Sequence, residues 1–404
     1  MNMRQTILLL GMLMMFGSIN AQTSYPFIKY DTSRIIYPGD SASMLKFFAK
    51  LDALKKGDTS RLTIAHYGGS HIQAGYWTEA LADSFQALGG YVGGGAYLFP
   101  YRLIKTNGPP FYRSHGTGEW KRCRAVPSEM CSGLGMSGIS ATTSDSIASF
   151  GFQLRPNDHI NSFTYIRVYH NFNPDYVIEV PKDFPATYLR HDYPELGYVQ
   201  FHFQTPVDSV HFDIHRNSST RSDFILRGWS IENENPGVYY ASMGVNGAST
   251  RSYLQCTEFV KELGTLHPDL VIFSIGVNDA QDADLVLPDF FARYDSICAI
   301  VRAINPDCAI LFTTITDNYI KRKTKNTRSL KVNAQIMAVA QKYNAGVWDM
   351  FTVMGGLGSI DKWYRNGLAA PDRIHFNAKG YGIAAGLMFS AIKDSYMYNT
   401  TLSK

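Results

Sequence analysis

The chain has few cysteines, almost no net charge and only one short apolar run near its start. Its five cysteines include no Cys-x-x-Cys pair, which argues against a zinc ribbon or a dithiol redox centre. Lysine and arginine number 38 against 34 for aspartate and glutamate; the resulting +4 over 404 residues gives no footprint for nucleic acid. No short-period repeat or low-complexity tract appears. The apolar run, Ile7 to Phe16, is too short to span a bilayer comfortably. With Arg4 before it and Ser18-Ile19-Asn20-Ala21 after it, it reads as a secretory signal peptide over residues 1–21. No cysteine follows it closely, so a lipid anchor of that pattern is not expected. In an exported chain Cys123 and Cys131 are close enough to close a small disulfide loop, while Cys256 and Cys298 sit in helical patterns as buried apolar residues.

The remaining ~380 residues exceed what one ordinary domain of about 100–200 residues needs, so a second module is expected. Leu62 to Tyr67 is β-like, and Trp77, Leu81, Phe85 and Leu88 then recur at helical spacing. Gly237 to Ser242, Asp269 to Ile275, Ala309 to Ile315 and Gly346 to Asp349 are further strands. Between and after them lie helical patterns reaching Leu263, running through Phe290, Tyr294, Ile297 and Val301, spanning Leu330 to Tyr343, and starting near Ala378. The unbroken apolar run 270–273 fits a central parallel strand buried on both faces. Five such strands predict a flavodoxin-like, three-layer α/β/α sandwich. In the middle the pattern changes: Phe163 to Tyr169, Tyr176 to Val180, Tyr198 to Gln204, Val207 to His215 and Asp223 to Ile231 alternate like strands of a β-sandwich. Asn107-Gly108-Pro109-Pro110 breaks regular structure at its entry. The expected division is residues 22–108 and 232–404 as one α/β domain, with 109–231 inserted as a jelly-roll-like β-sandwich.

Four short blocks carry chemistry. Gly68-Gly69-Ser70-His71 ends the first strand; Gly247 lies in Gly-Val-Asn-Gly-Ala-Ser-Thr after the second; Asn278 lies in Ile-Gly-Val-Asn-Asp after the third; Asp372 and His375 lie in Pro-Asp-Arg-Ile-His before the last helix. All occupy the carboxyl edge, where open parallel sheets bind ligands. A serine hydroxyl attacks only when a base takes its proton, and His375 is the candidate base for Ser70, with Asp372 to hold its other ring nitrogen. The backbone N–H groups of Ser70 and Gly247 and the side-chain amide of Asn278 can stabilise an oxyanion. Each has a plainer alternative: an anion-cradling turn at Ser70, a tight turn at Gly247, a helix cap at Asn278, a loop carboxylate at Asp372, a capping or buried imidazole at His375. Singly the two readings are about even; in this order, at successive strand ends, the plain ones together are improbable.

The four blocks resemble the SGNH/GDSL hydrolase family over roughly residues 60–105 and 236–395. Met354 to Ser359, Trp363, Gly367-Leu368-Ala369 and Asp372 to His375 resemble its peptidoglycan O-acetylesterase branch, in which a carbohydrate-binding-like β module is inserted at a comparable place. The resemblance implies a secreted serine esterase that removes O-acetyl groups from a cell-wall glycan, O-acetylated peptidoglycan first, through an acetyl-enzyme on Ser70, with no cofactor and no metal. Its location would be periplasmic, extracellular or cell-surface in a bacterium, with no stable membrane insertion after signal cleavage. It leaves open other acetylated polysaccharides such as xylan or sialoglycans, and acetyl transfer in place of hydrolysis. A different class of reading, a non-catalytic glycan-binding protein, arises from one departure: Gly69 stands where the family has aspartate. That removes a side-chain hydrogen bond from the nucleophile turn, leaving His71 or Gln73 to hold it. Lys321, Arg322, Lys323, Lys325 and Arg328 form a loop on the catalytic edge that reads first as solvated basic surface and second as a site for glycopeptide carboxylates. His211, Asp213 and His215 share one strand face; metal-like spacing on an exposed polar face is usually just that, and no metal is assigned.

Overall fold

The computed structural model describes residues 24–59, 61–129 and 131–402, the side chains of 400–402 excepted; the expected signal peptide lies outside them. Six parallel strands form the centre of the main sheet, in the order Gly346–Trp348, Ala309–Thr313, Leu270–Ser274, Arg61–Gly68, Gly237–Gly244 and Gly93–Leu98, with the short antiparallel strand Ile35–Ile36 at the outer edge. Alternation along Arg61–Gly68 supplies both helical layers. Leu62 and Ile64 face the helices Ala42–Lys56, Tyr76–Gly89 and Ala378–Leu402 through Phe47, Trp77, Phe85 and Met388. Ala65 and Tyr67 face Phe259–Leu266, Leu287–Ile304 and Arg328–Lys342 through Leu263, Tyr294 and Ile336. This is the three-layer α/β/α sandwich that the strand and helix patterns lead one to expect.

In the hydrolase part, one expected helix is divided and one strand is added. The helical pattern reaching Leu263 is two helices, Thr250–Leu254 and Phe259–Leu266. The sixth parallel strand, Gly93–Leu98, is not among the five expected and opens with three glycines. A Cβ at Gly95 would lie 2.3 Å from the carbonyl oxygen of Ile231 and 2.5 Å from the ring of Tyr239, so only glycine lets these strands close.

That strand also joins the inserted sandwich to the hydrolase. Its other edge pairs antiparallel with Phe224–Glu232, which continues to Phe163–His170, Tyr198–Val207 and Tyr188–Tyr193, with Ile139–Thr143 and Lys121–Arg124 branching from it. A second sheet, in the order Tyr112–Thr117, Ile147–Leu154, Ser209–Arg216 and Tyr176–Glu179, closes the sandwich. Phe150, Phe152, Phe163, Phe203, Phe212 and Trp229 fill the space between the sheets. This core is continuous with one helical layer of the hydrolase, so the two regions share apolar interior as well as backbone pairing. Among the described residues no helix is long and apolar enough to cross a membrane.

Candidate active site

The Arg61–Gly68 strand runs into the four-residue helix Ser70–Gln73, so Ser70 stands at the carboxyl edge of the sheet. The strands on either side pair with it in parallel and deliver their loops to the same edge: Gly237–Gly244 brings Gly247, and Leu270–Ser274 brings Asn278. Hydrogen bonds then stitch the three loops together. The N–H of Val245 donates to the Gly68 carbonyl at 3.2 Å, and the N–H of Asn246 donates to Gln73 Oε1 at 2.6 Å. Asn278 Nδ2 donates to the Ala248 carbonyl at 2.8 Å, leaving its second hydrogen for another acceptor. Asp279 accepts from the backbone N–H and hydroxyl of Thr250, the latter at 2.6 Å. Gly247 has φ of 89°, a left-handed conformation that glycine adopts without strain.

From the far side of the edge comes the loop before Ala378–Leu402. Ser70 Oγ lies 2.6 Å from His375 Nε2, and His375 Nδ1 lies 2.7 Å from Asp372 Oδ2. The other carboxylate oxygen of Asp372 accepts from the backbone N–H groups of Ile374 and His375, at 2.9 and 3.0 Å. Burial alone would raise the Asp372 pKa, but the ring and backbone donors, together with the nearby imidazole, outweigh it and hold the carboxyl well below its usual range. An ionised carboxylate only accepts, so Nδ1 carries the imidazole proton and Nε2 is free to accept from the serine hydroxyl. Ser70, His375 and Asp372 thus form one continuous hydrogen-bonded chain.

The surroundings fix this chain. Arg373 pairs with Asp361 at 2.7 Å, its guanidinium sits 3.5 Å from the Tyr364 ring centroid, and Tyr319 OH donates to the same Asp361 at 2.6 Å. Phe376 stacks on Trp363 at 4.5 Å between centroids. His71, beside Ser70, is buried with its ring 5.2 Å from that of His375, and its Nδ1 is 3.0 Å from Tyr381 OH. Burial, then the His375 charge, pushes the His71 pKa down to about 3, so it is a neutral wall to the His375 ring rather than a second base.

At Gly69 the missing side chain opens space against Asn278: a Cβ there would lie 3.2 Å from Asn278 Nδ2. Gln73 supplies the ties that glycine cannot. Besides accepting from Asn246, it donates through Nε2 to the Asn107 carbonyl at 2.7 Å and to Thr106 Oγ1 at 3.2 Å. Of the two residues expected to hold this turn, Gln73 bridges to the Gly247 loop and His71 packs on the His375 side. A cleft of ≈ 380 Å³ opens beside Gly247 and Asn278, bounded by Arg251, Asp282 and Leu285 of the hydrolase and by Pro127 of the insert.

Elsewhere, His211 Nε2 contacts Asp213 at 3.2 Å and its Nδ1 faces His115 at 3.3 Å. Among the described residues no group of three or more His, Cys, Asp or Glu side chains is arranged to hold a metal ion.

Residues 219–383 match the model of the GDSL-like lipase/acylhydrolase family. The match spans 165 of the 404 residues, and over it the chain is similar to GDSL-like acylhydrolases. The matched region holds Gly247, Asn278, Asp372 and His375 but not Ser70, which lies before the insert. A solved structure of a peptidoglycan O-acetylesterase is similar over 90% of this chain and 99% of that one, with TM-score 0.71 and 21% identity. At that identity the likeness is one of fold, and it spans the insert as well as the GDSL-like domain. An acetyl xylan esterase (18% identity, 38% of this chain and 81% of that one, TM-score 0.32) and a lipase/acylhydrolase from Enterococcus faecalis (20%, 39% and 77%, 0.32) resemble smaller parts. No curated protein matches the sequence.

Proposed function

We propose that the protein is an exported serine esterase that removes O-acetyl groups from a cell-wall glycan, with O-acetylated peptidoglycan as its substrate. The observation that carries the chemistry is the unbroken chain from Ser70 Oγ through His375 to an Asp372 carboxylate held in its charged form. Ser70 Oγ attacks the acetyl carbonyl as its proton passes to His375 Nε2, and Asp372 stabilises the imidazolium. The oxyanion is received by the N–H groups of Ser70 and Gly247 and the amide of Asn278. Collapse breaks the ester bond, the sugar oxygen takes the proton from His375, and the acetyl group stays on Ser70. Water, deprotonated by His375, then releases acetate and regenerates the serine.

Three features favour an acidic cell-wall glycan as the substrate. The likeness to the peptidoglycan O-acetylesterase extends through the insert. The basic hairpin with Lys321, Arg322 and Lys323 adjoins the triad loop, since Tyr319 N–H donates to the Arg373 carbonyl at 2.9 Å. A cleft of ≈ 500 Å³ at the hydrolase–insert junction, next to Asn107, carries Arg102, Lys105 and Arg155 without a carboxylate in its wall. Export is favoured by the amino-terminal pattern of residues 1–21 and by the Cys123–Cys131 disulfide, a bond of oxidising compartments. The test is acetate release from O-acetylated peptidoglycan, with acetylated xylan in parallel and Ser70→Ala as the blank. Serine-dependent release from peptidoglycan supports the reading; release from xylan alone moves the substrate, and release from neither, with glycan binding intact, favours a binding protein.

A further inference from the structure

Asn246 and Gly247 share one planar peptide unit, with the Asn246 carbonyl on one side and the Gly247 N–H on the other. The N–H is the oxyanion donor of the mechanism above, and the inference below rests on that role. The carbonyl accepts from Arg124 Nη1 at 3.1 Å. Arg124 does not belong to the hydrolase sheet. It ends the insert strand Lys121–Arg124, one residue after Cys123, whose disulfide to Cys131 closes the loop that follows. Inside that loop Glu129 Oε1 accepts from Arg124 Nε at 3.0 Å and Nη2 at 2.6 Å, and from Arg122 Nη2 at 2.9 Å. The guanidinium is therefore held by its own loop, with Nη1 left to meet Asn246. Val126 of the same loop rests over the glycine: a Cβ on Gly247 would lie 3.3 Å from its Cγ1. At the other end of Asn246, its N–H is anchored by Gln73.

We propose that Arg124 is a positioning residue of the oxyanion hole, through which the insert takes part in catalysis. A cation donating to an amide oxygen draws electron density through the amide resonance and makes the N–H on the same unit a stronger donor. Because the peptide is trans, fixing the carbonyl from the insert side also fixes the direction of the N–H toward the site. Charge appears on the substrate oxygen as Ser70 attacks, so a stronger donor favours the transition state over the bound ester. The effect belongs in kcat rather than KM. An insert that only grips glycan would act in the opposite sense, on KM for polymer and on nothing for a small ester.

The test uses the full-length protein, p-nitrophenyl acetate, and the variants Arg124→Gln, Arg124→Lys and Ser70→Ala. Losing a whole oxyanion donor costs about 10²–10³ in turnover, so weakening one by Arg124→Gln should lower kcat by about 10-fold, with KM nearly unchanged. Arg124→Lys, which keeps the charge but not the fork, should fall between. Phenylboronic acid, which forms a tetrahedral adduct on the serine, should bind each variant more weakly in proportion to its lost kcat/KM. Wild-type kcat in a folded Arg124→Gln protein, or a lower kcat with undiminished boronate affinity, overturns the proposal. If Arg124→Gln does not fold, Arg124→Lys decides by the same two readings. A wild type without Ser70-dependent hydrolysis would overturn the esterase reading, and this inference with it.

Discussion

Asp372 is charged for a local reason: two backbone N–H groups and an imidazole N–H converge on it. With His71 neutral above a pKa of about 3 and the Asp372 carboxyl held well below its usual range, neither group adds a protonation step to the acid limb of kcat/KM. Activity should fall as pH drops with a slope of one; a slope of two in a pH profile on p-nitrophenyl acetate would show a second group at work. Asp372→Asn, which keeps the shape but favours the wrong imidazole tautomer, should lower kcat by about 10⁴. Gly69 makes a second residue-scale test. The site is assembled without a carboxylate there, and a Cβ would approach Asn278 Nδ2 to 3.2 Å. Gly69→Asp should therefore give no gain in kcat; a large gain would show that the glycine marks decay.

At the scale of elements, the helix Tyr76–Gly89 carries a carboxyl that disfavours alkaline conditions. Burial, then the neighbouring charge of Asp83, raises the Glu79 pKa to about 7. Its folded value lies above the ordinary 4.5, so this group leaves stability untouched below that value and costs stability as pH rises through about 7. Glu79→Gln should flatten the decline in melting temperature between pH 5 and pH 8; parallel curves for the two proteins would refute the assignment.

Elements also decided what could be read in advance. The five expected parallel strands announce themselves because their apolar runs are buried on both faces, and the helices because one face repeats through Trp77, Leu81 and Phe85. Gly93–Leu98 hides behind its glycines, which answer to the close approach of Ile231 and Tyr239. Tyr188–Tyr193 hides because it is an edge strand with mostly exposed polar residues. Around the site, Ser70, Gly247, Asn278, Asp372 and His375 each follow a strand or precede a helix, so their convergence follows from the fold. Arg124 gave no such signal: it lies 122 residues from the carbonyl it holds, on a strand that the sequence pattern did not reveal.

At the scale of the whole molecule, sandwich and hydrolase are welded by strand pairing, by a shared core and by one buried ion pair. Arg227, on the insert strand next to the hydrolase sheet, pairs with Glu262 of the helix Phe259–Leu266, and both are almost wholly buried. Glu262 also accepts from the backbone of Met136 at 2.9 Å, and Arg227 donates to the His170 carbonyl at 2.5 Å. Glu262→Gln would leave a buried cation short of its partner and should cost about 3–5 kcal/mol by denaturant titration. Because the two regions share this interior, calorimetry should record one unfolding transition; two separated transitions would mean that the insert folds alone.

The central claim, that Ser70 is a nucleophile activated by His375, is tested most directly by intact-protein and peptide mass spectrometry after treatment with diethyl p-nitrophenyl phosphate. The account predicts one diethylphosphoryl group, on Ser70, formed quickly by the wild type and not by His375→Ala. A protein that stays unlabelled, or that carries the group on another residue, would contradict it.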